Sequence, residues 1–266
     1  MATEDDRLAH DLAAEACRRL IDLRARGGQP DDLRKAGDRL SHEFLAAELA
    51  RQRPGDWVLS EEAADNPARL AAARVWIVDP LDGTREFGDA GRTDWAVHVA
   101  LWERSGPGQG RLTVGAVALP AAGEVLSTVA PPPAPPPGPP PGPPPGRPRI
   151  VVSRSRPAAF LPAMAALLGA DLIPLGSAGA KVAAVLQGHA DAYVHAGGLY
   201  EWDSAAPVAV ARAAGFHASR IDGRELTYNQ ADLLMPDILV CVPALAGGLL
   251  DAISSAQAGE ADGGQR

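Results

Sequence analysis

Two carboxylates that stand three residues apart, Asp79 and Asp82, are the strongest chemical feature of the sequence. They follow a short apolar run, Val75 to Val78, which predicts a buried strand. Ligands of α/β proteins commonly bind where strands leave the sheet. Pro80 ends the predicted strand, and the turn that follows brings both carboxylates and the carbonyl oxygen of Leu81 towards one point. A cluster of oxygen ligands alone suits Mg²⁺ and not zinc.

The residues that follow Asp82 are typical of an anion-binding site. Gly83 has no Cβ, so a ligand can approach its backbone closely. If a helix begins here, the N–H groups of Gly83 and Thr84 point at a negatively charged group. A metal beside an anion site indicates a phosphate ester held on Mg²⁺. For this stretch alone a surface turn is the alternative, because Asp and Gly are ordinary turn residues.

Two further motifs favour catalysis over a surface turn. Residues 60–62 read Ser-Glu-Glu, and residues 202–206 read Trp-Asp-Ser-Ala-Ala. With the central motif Asp-Pro-Leu-Asp-Gly-Thr at 79–84, they make the chain resemble the inositol monophosphatase superfamily of Mg²⁺-dependent, lithium-sensitive phosphatases. The resemblance covers roughly residues 8–250.

The resemblance implies a fold and a set of metal ligands. The fold is of the α/β class: a layered αβαβα sandwich of the sugar-phosphatase type, with an α+β N-terminal half and an α/β C-terminal half. Two or three Mg²⁺ ions would lie in the cleft between the halves. Four acidic side chains and one carbonyl oxygen are the implied ligands: Glu61, Asp79, Asp82, Asp203 and the carbonyl of Leu81.

The same resemblance implies roles in catalysis. Asp38 would pair with Thr84 to orient the attacking water, and Glu61 would complete the catalytic set. The alternative for Asp38 is an N-cap of the second helix, and the alternative for Glu61 is a solvated surface charge. His98 lies on the opposite face of a strand predicted at 94–102 from that strand's apolar residues, and we interpret it as structural.

Residues after the central motif fit the branch of the superfamily that acts on bisphosphate nucleotides. Residues 85–87, Arg-Glu-Phe, resemble the Lys/Arg-Glu-Phe of the CysQ-type 3′-phosphoadenosine 5′-phosphate phosphatases, and residues 152–155 and 226–228 resemble that group too. The expected reaction hydrolyses the 3′-phosphate to give AMP and phosphate, with some activity on other esters. An inositol monophosphatase or a fructose-1,6-bisphosphatase is the alternative. Outside the class, the alternative is an inactive metal-binding scaffold.

A substrate with two phosphates needs cations besides the metals. Arg154 and Lys181 are the candidates for the 5′-phosphate, and the alternative for each is an exposed, solubilising charge. The stretch 195–198 lacks the glutamate that contacts ring hydroxyls in inositol phosphatases. The other implied substrate contacts surround the scissile phosphate: Asp82, Gly83, Thr84, Arg85, Ser177 and Asp203.

Periodicity predicts the elements that position these residues. Apolar residues at helical spacing predict a helix over 6–26, which Gly27 and Gly28 end. Residues 94–102 alternate as a half-buried strand does. Beyond residue 149, short apolar runs alternate with helical patterns. Asp203 is predicted to cap one of these helices, with Pro207 near its first turn.

A proline tract divides the chain. Thirteen of the eighteen residues at 131–148 are proline, which cannot donate to a ladder, so polyproline II structure is expected there. We favour a solvent-exposed loop over a ligand for a proline-binding domain. The predicted organisation is an α+β domain with most metal ligands over 1–130, an α/β domain over 149–258, and a disordered tail over 259–266.

The composition and net charge of the chain argue against some classes of binding partner. The net charge of −8, without a basic block, argues against a nucleic-acid polymer or an anionic membrane. No apolar run approaches the ~20 residues that span a bilayer. Cys17 and Cys241 form no metal or redox motif, which fits a reduced, cytoplasmic setting. The expected partner is a phosphorylated small molecule, and a homodimer is compatible with the sequence.

Overall fold

The structure, a computed structural model, describes residues 3–106, 108–134 and 146–263. The first sheet contains five strands whose spatial order follows the chain. These strands are β1 (Trp57–Ser60), β2 (Arg74–Asp82), β3 (Ala96–Gly106), β4 (Gln109–Leu119) and β5 (Glu124–Ser127). β1 and β2 are parallel, and each later strand is antiparallel to the one before it.

The second sheet also has five strands, in the order β7-β6-β8-β10-β9. They are β6 (Arg149–Ser153), β7 (Asp171–Leu175), β8 (Ala192–Tyr200), β9 (His217–Ser219) and β10 (Leu234–Cys241). β6 runs parallel to both of its neighbours, whereas β10 is antiparallel to β8 and β9. The three parallel strands β7, β6 and β8 form one side of this sheet, and helical crossovers connect them, as parallel strands require.

Seven helices in the described ranges complete the layers: α1 (Glu4–Ala25), α2 (Pro30–Gln52), α3 (Thr84–Gly88), α4 (Leu161–Leu168), α5 (Ala178–Leu186), α6 (Glu201–Ala213) and α7 (Ala246–Gly263). α1 and α2 share a core with one face of the first sheet, and α5 and α6 lie between the two sheets. α4 and α7 pack on the far face of the second sheet. The predicted αβαβα sandwich is therefore confirmed.

Strand β3 is buried on both faces, which corrects the prediction of a half-buried strand. Val97 and Val99 belong to the core shared with α1, whereas Ala100 and Trp102 belong to the core around α6. A sheet covered by helices on both sides has no polar face, so alternation in the sequence is not a sign of exposure here.

Small side chains let α6 lie close against the first sheet. A Cβ added to Gly115 of β4 would lie only 2.6 Å from the Cβ of Ala209 and 2.8 Å from the carbonyl oxygen of Ala206. Ala206 is fully buried. The separation between helix and sheet at this point is thus set by residues that have almost no side chain.

Several local predictions were wrong. α2 begins at Pro30, a favoured first helical residue, so Asp38 lies inside the helix and is not its cap. α6 begins at Glu201, which makes Asp203 its third residue and places Pro207 well inside the helix. β2 continues through Pro80 to Asp82, and α7 extends to residue 263, where a disordered tail was expected.

The proline tract falls mostly outside the part of the chain that the structure describes. Residues 131–134 and 146–148 adopt neither helix nor strand. The predicted polyproline conformation and partner role of 135–145, and the tail at 264–266, lie outside the described residues. Within the described ranges, no helix has the length and apolar character needed to cross a membrane.

Candidate active site

An irregular end of β2 holds Asp79 and Asp82 together. β2 is in register with β3 up to the pair Asp79 and His98, and pairing resumes at Asp82 and Ala96. Two residues of β2 therefore face one residue of β3, which is the geometry of a β-bulge and redirects side chains locally. As a result, Asp79, Asp82 and His98 each place one potential ligand atom within 4.8 Å of the others.

One carboxylate oxygen of Asp82 is already used in hydrogen bonds within the protein. Its Oδ2 accepts the hydroxyl proton of Ser177 at 2.5 Å and the N–H of Gly179 at 2.7 Å, and lies 3.2 Å from His98 Nε2. Ser177 is the N-cap of α5, so the carboxylate faces the positive end of that helix. Burial alone would raise the pKa of Asp82, but the nearby His98, Lys181 and Ser177 hold the pKa at about 2.

The sequence led us to interpret His98 as a structural residue. In the structure its ring contacts both halves of the chain within the site. It is fully buried on β3, and its Nδ1 lies 3.2 Å from the carbonyl oxygen of Trp202. Its other ring nitrogen faces Asp82. The ring therefore connects Asp82 of the first half to the residue that precedes Asp203 in the second.

Asp79 is a buried carboxylate that lacks a full set of partners. Its Oδ1 accepts the N–H of Leu81 at 3.0 Å, whereas Oδ2 has no hydrogen-bond partner in the described part of the chain. Burial, with the neighbouring charges of Glu61 and Asp82, raises the pKa of Asp79 well above its usual range. An orphaned, buried acceptor among other acids fits a hard cation, so the residues present fit Mg²⁺.

Glu61 and Asp203 reach the same cluster from opposite halves. Burial between the cleft walls and then the charge of Asp203 raise the pKa of Glu61 to about 7, although solvent still reaches the side chain. Burial and then the charge of Asp82 raise the pKa of Asp203 to about 6. Asp203 Oδ2 also accepts the N–H of Tyr200 at 2.6 Å, which fixes the first turn of α6. Glu61 and Asp203 therefore line the same cleft as Asp79 and Asp82 and interact with them through their charges, although among the described residues only Asp79, Asp82 and His98 bring ligand atoms within 4.8 Å of one another.

Thr84 joins the metal-site backbone to α2. Its hydroxyl lies 3.0 Å from the carbonyl oxygen of Leu81 and 3.2 Å from Asp38 Oδ1. One hydroxyl proton cannot serve both acceptors at once, so a cation on the Leu81 carbonyl would turn it towards Asp38. Burial and the charge of Glu62 raise the pKa of Asp38 to about 6, against the effect of the Thr84 hydrogen bond.

Gly83 occupies a position that other residues fit poorly. Its φ is 85°, in the left-handed region, and it precedes the short helix α3. An added Cβ would lie 3.1 Å from both the carbonyl oxygen of Asp94 and the Cβ of Ser177. Gly83 therefore packs against the backbone of its own half and the Ser177 side chain of the second half without room for a side chain of its own.

The acidic cluster lines a cleft of about 360 Å³. Four of the implied substrate contacts line it as well: Gly83, Thr84, Arg85 and Ser177. The hydroxyl of Ser177 is already used, since it donates to Asp82 and accepts the N–H of Ala180. Its backbone N–H also donates within the protein, to the carbonyl oxygen of Asp94 at 3.2 Å, so both donors of Ser177 are already used.

Of the two cations that the sequence suggested for the second phosphate, only Lys181 lines the cleft. Arg154 donates to Glu86 at 2.5 Å and does not line the cleft. Lys181 does line it, is 3% exposed, and donates to the carbonyl oxygen of Gly176. Burial lowers the pKa of Lys181 to about 8, so it stays charged at neutral pH.

Three polar residues of the cleft were missed from the sequence: Arg156, Tyr193 and His195. Arg156 stands two residues after the arginine that was singled out, and no pattern distinguishes the two. Tyr193 and His195 alternate along β8, a spacing that indicates one face of a strand but not which face meets the cleft.

Two helix-covered sheets with an acidic cleft between them define the class of layered α/β metal-dependent phosphatases. A sequence model of the inositol monophosphatase family matches residues 3–139 and 146–258. The chain therefore belongs to the inositol monophosphatase family, as its motifs predicted.

Individual relatives support the same branch. A 3′-phosphoadenosine 5′-phosphate phosphatase of Mycobacterium bovis is 52% identical over 251 residues, which cover 91% of this chain and 90% of the relative. The 3′(2′),5′-bisphosphate nucleotidase CysQ of Escherichia coli is 31% identical and covers 73% of this chain and 78% of its own. The structure of CysQ from Bacteroides thetaiotaomicron superposes with a TM-score of 0.74 at 27% identity, over 90% of this chain and 97% of the other.

Proposed function

We propose that this chain is a Mg²⁺-dependent phosphatase that hydrolyses the 3′-phosphate of 3′-phosphoadenosine 5′-phosphate to give AMP and phosphate. The observation that carries the proposal is the orphaned Oδ2 of Asp79 at the centre of converging carboxylates. The relatives named as phosphatases of bisphosphate nucleotides support the substrate. A cytoplasmic location belongs to the same proposal and is supported by two free, buried cysteines, Cys17 and Cys241.

The proposed metal ligands are the carboxylates of Glu61, Asp79, Asp82 and Asp203 and the carbonyl oxygen of Leu81. Asp82 offers Oδ1, because its Oδ2 is held by Ser177 and Gly179. Bound Mg²⁺ would supply a Lewis acid for the phosphoryl oxygens and a water of lowered pKa. The remaining chemistry belongs to the chain's own side chains.

Thr84 and Asp38 are proposed to orient the attacking water. When the Thr84 hydroxyl donates to Asp38, its free lone pairs can accept a hydrogen bond from water. The pKa of Asp38 at about 6 suits a group that receives a proton near neutral pH. No serine, cysteine or histidine nucleophile is required by this arrangement.

Arg156 and Lys181 are proposed to bind the second phosphate. Lys181 lies over the ring of Tyr193, with Nζ 5.2 Å from the ring centroid, and the Tyr193 hydroxyl is buried without a partner in the described ranges. Arg156 lines the same cleft. Arg154, the residue expected from the sequence, is neutralised by Glu86 instead. The charges therefore support Arg156 over Arg154 for this role.

A comparison of three substrates tests the proposal. We expect kcat/KM for 3′-phosphoadenosine 5′-phosphate to exceed that for inositol 1-phosphate and for fructose 1,6-bisphosphate, with release of phosphate dependent on Mg²⁺. A charge-assisted hydrogen bond contributes roughly 1.5–3 kcal/mol, which is about tenfold to a hundredfold in specificity. Equal or better turnover of inositol 1-phosphate would overturn the substrate assignment.

Arginine variants separate the two candidate phosphate contacts. Arg156→Ala should raise KM for the nucleotide about tenfold or more and leave kinetics with inositol 1-phosphate nearly unchanged. Arg154→Ala is the matched control and should affect both substrates little. A loss of nucleotide affinity in Arg154→Ala alone would contradict the proposed second-phosphate site.

A further inference from the structure

A single buried arginine ties the segment after Glu61 to the second half of the chain. Arg69 lies in a 3₁₀ turn, Pro67–Ala71, and is 1% exposed. Its Nε and Nη2 donate to the carboxylate of Asp65 at 2.7 and 3.1 Å. Its Nη1 donates to Asn229 Oδ1 at 2.6 Å, and Nη2 also donates to the carbonyl oxygen of Gln230 at 2.8 Å.

The turn at 229–230 is held from its other side by Glu201. The two carboxylate oxygens of Glu201 accept the N–H groups of Asn229 and Gln230, each at 2.7 Å. Asn229 has a φ of 60°, in the left-handed region that asparagine adopts more readily than most residues, so these bonds fix a turn that few other side chains would favour. Glu201 is buried and is the first residue of α6, two positions before Asp203.

We propose that Arg69 is a positioning residue for the metal cluster. By fixing the 229–230 turn against Glu201, it sets the first turn of α6, and hence Asp203, relative to the segment that follows Glu61. It touches neither the acidic cluster nor the cleft. The inference rests on the proposed function, because it takes Asp203 to be a metal ligand.

Arg104 provides a matched control. It anchors the same 3₁₀ segment from the opposite side, donating from Nε to the carbonyl oxygen of Ala72 at 2.9 Å and from Nη2 to that of Leu70 at 2.6 Å. Arg104 belongs to β3, and its hydrogen bonds stay within the first half. Its loss loosens the segment without breaking the connection to α6.

The test measures Mg²⁺ binding directly. Full-length protein is freed of metal with a chelator, and Mg²⁺ is titrated by calorimetry into wild type, Arg69→Met, Arg69→Lys and Arg104→Met. Loss of a residue that orients a ligand typically weakens metal affinity about 10–100-fold, and Arg69 acts less directly, through the 229–230 turn and Glu201, so we expect about 3–10-fold for Arg69→Met. Arg69→Lys should recover part of this loss. Arg104→Met should lower Tm and leave Mg²⁺ affinity unchanged.

A second variant protects the test against misfolding of Arg69→Met. Glu201→Gln replaces a two-oxygen acceptor by a group with one acceptor, and should weaken Mg²⁺ binding to a similar degree. The effects of Arg69→Lys and Glu201→Gln should be non-additive, because both act through the same turn. Additive effects, or equal Mg²⁺ affinity in Arg69→Met and Arg104→Met, would overturn the inference while leaving the proposed function intact. Absence of Mg²⁺ binding by wild type would overturn both.

Discussion

Replacing Asp82 or Asp79 by asparagine should change the stability of the metal-free protein in opposite directions. Both carboxylates are buried and both are proposed metal ligands, so each substitution should remove most activity. Their surroundings differ. Asp82 faces the N-terminus of α5 and two hydrogen-bond donors, whereas Asp79 has an oxygen without a partner in the described ranges and faces other acids.

The magnitude for Asp82 follows from its pKa. A carboxyl group whose pKa falls from 3.8 to about 2 on folding contributes about 2 kcal/mol of stability at neutral pH. This contribution is present above the unfolded pKa and is lost as the pH falls towards 2. Asp82→Asn should therefore lower Tm at pH 7 by about 4–8 °C. In Asp79→Asn, relief of the repulsion that raises the pKa of Asp79 should raise Tm.

Thermal unfolding of both variants in chelator at pH 7 measures this difference, and far-UV circular dichroism checks that each is folded. Wild type should gain Tm on addition of Mg²⁺, and the variants should gain less. A Tm for metal-free Asp82→Asn equal to or above that of wild type would refute the reasoning, because it would mean that the α5 N-terminus does not stabilise the ionised carboxylate.

Further substitutions and conditions test other parts of the site. Gly83→Ala should cost about 2 kcal/mol in chemical denaturation because of its positive φ, and should also lower kcat/KM because the added Cβ meets Asp94 and Ser177. Gly91→Ala, with a similar φ but open space around it, should show a similar loss of stability and keep normal kcat/KM. Metal-free protein should lose stability as the pH rises from about 4 to 7, by about 3 kcal/mol from Asp203 alone, because the folded protein resists ionisation of a carboxyl group whose pKa is raised to about 6. Mg²⁺ should abolish this loss in pH-dependent unfolding, and equal stability of the metal-free protein at pH 4 and pH 7 would contradict it. Turnover should fall in tens-of-millimolar Li⁺, because Li⁺ is close to Mg²⁺ in size but carries half its charge, and unchanged turnover would contradict that expectation. Deletion of residues 134–146 should leave kcat/KM and Tm nearly unchanged, because loop length alters closure entropy by only about 0.6 kcal/mol per doubling.

The acidic cluster could be anticipated from the sequence because its residues are set by chemistry. Asp79 and Asp82 stand at the end of a strong apolar run, and the paired motifs around Glu61 and Asp203 point to the same kind of site. The backbone geometry that places these residues in the site could not be predicted from the sequence. Pro80 suggests the end of a strand, yet β2 continues past it through a bulge, because the neighbouring strand supplies a register that tolerates one unpaired residue.

Contacts between residues that lie far apart in the chain could not be predicted from the sequence. Arg154 and Arg156 differ in their surroundings, because Glu86 pairs with Arg154 whereas Arg156 lines the cleft. Asp38 reads as a helix cap until the helix is seen to begin eight residues earlier, at Pro30. Arg69 has no motif at all, and its partner Asn229 lies 160 residues away.

Because α6 approaches the first sheet so closely, the volume of the side chains at this contact affects the position of α6 and therefore of Asp203. Gly115 and Ala206 meet in the apolar packing between helix and sheet, and Asp203 lies on α6 only three residues before Ala206. A single added methyl group there has nowhere to go except into a displacement of the helix, because the packed interior yields little. Evolution can thus alter the spacing of the carboxylates by exchanging one small apolar residue for another, without changing any acidic residue of the site.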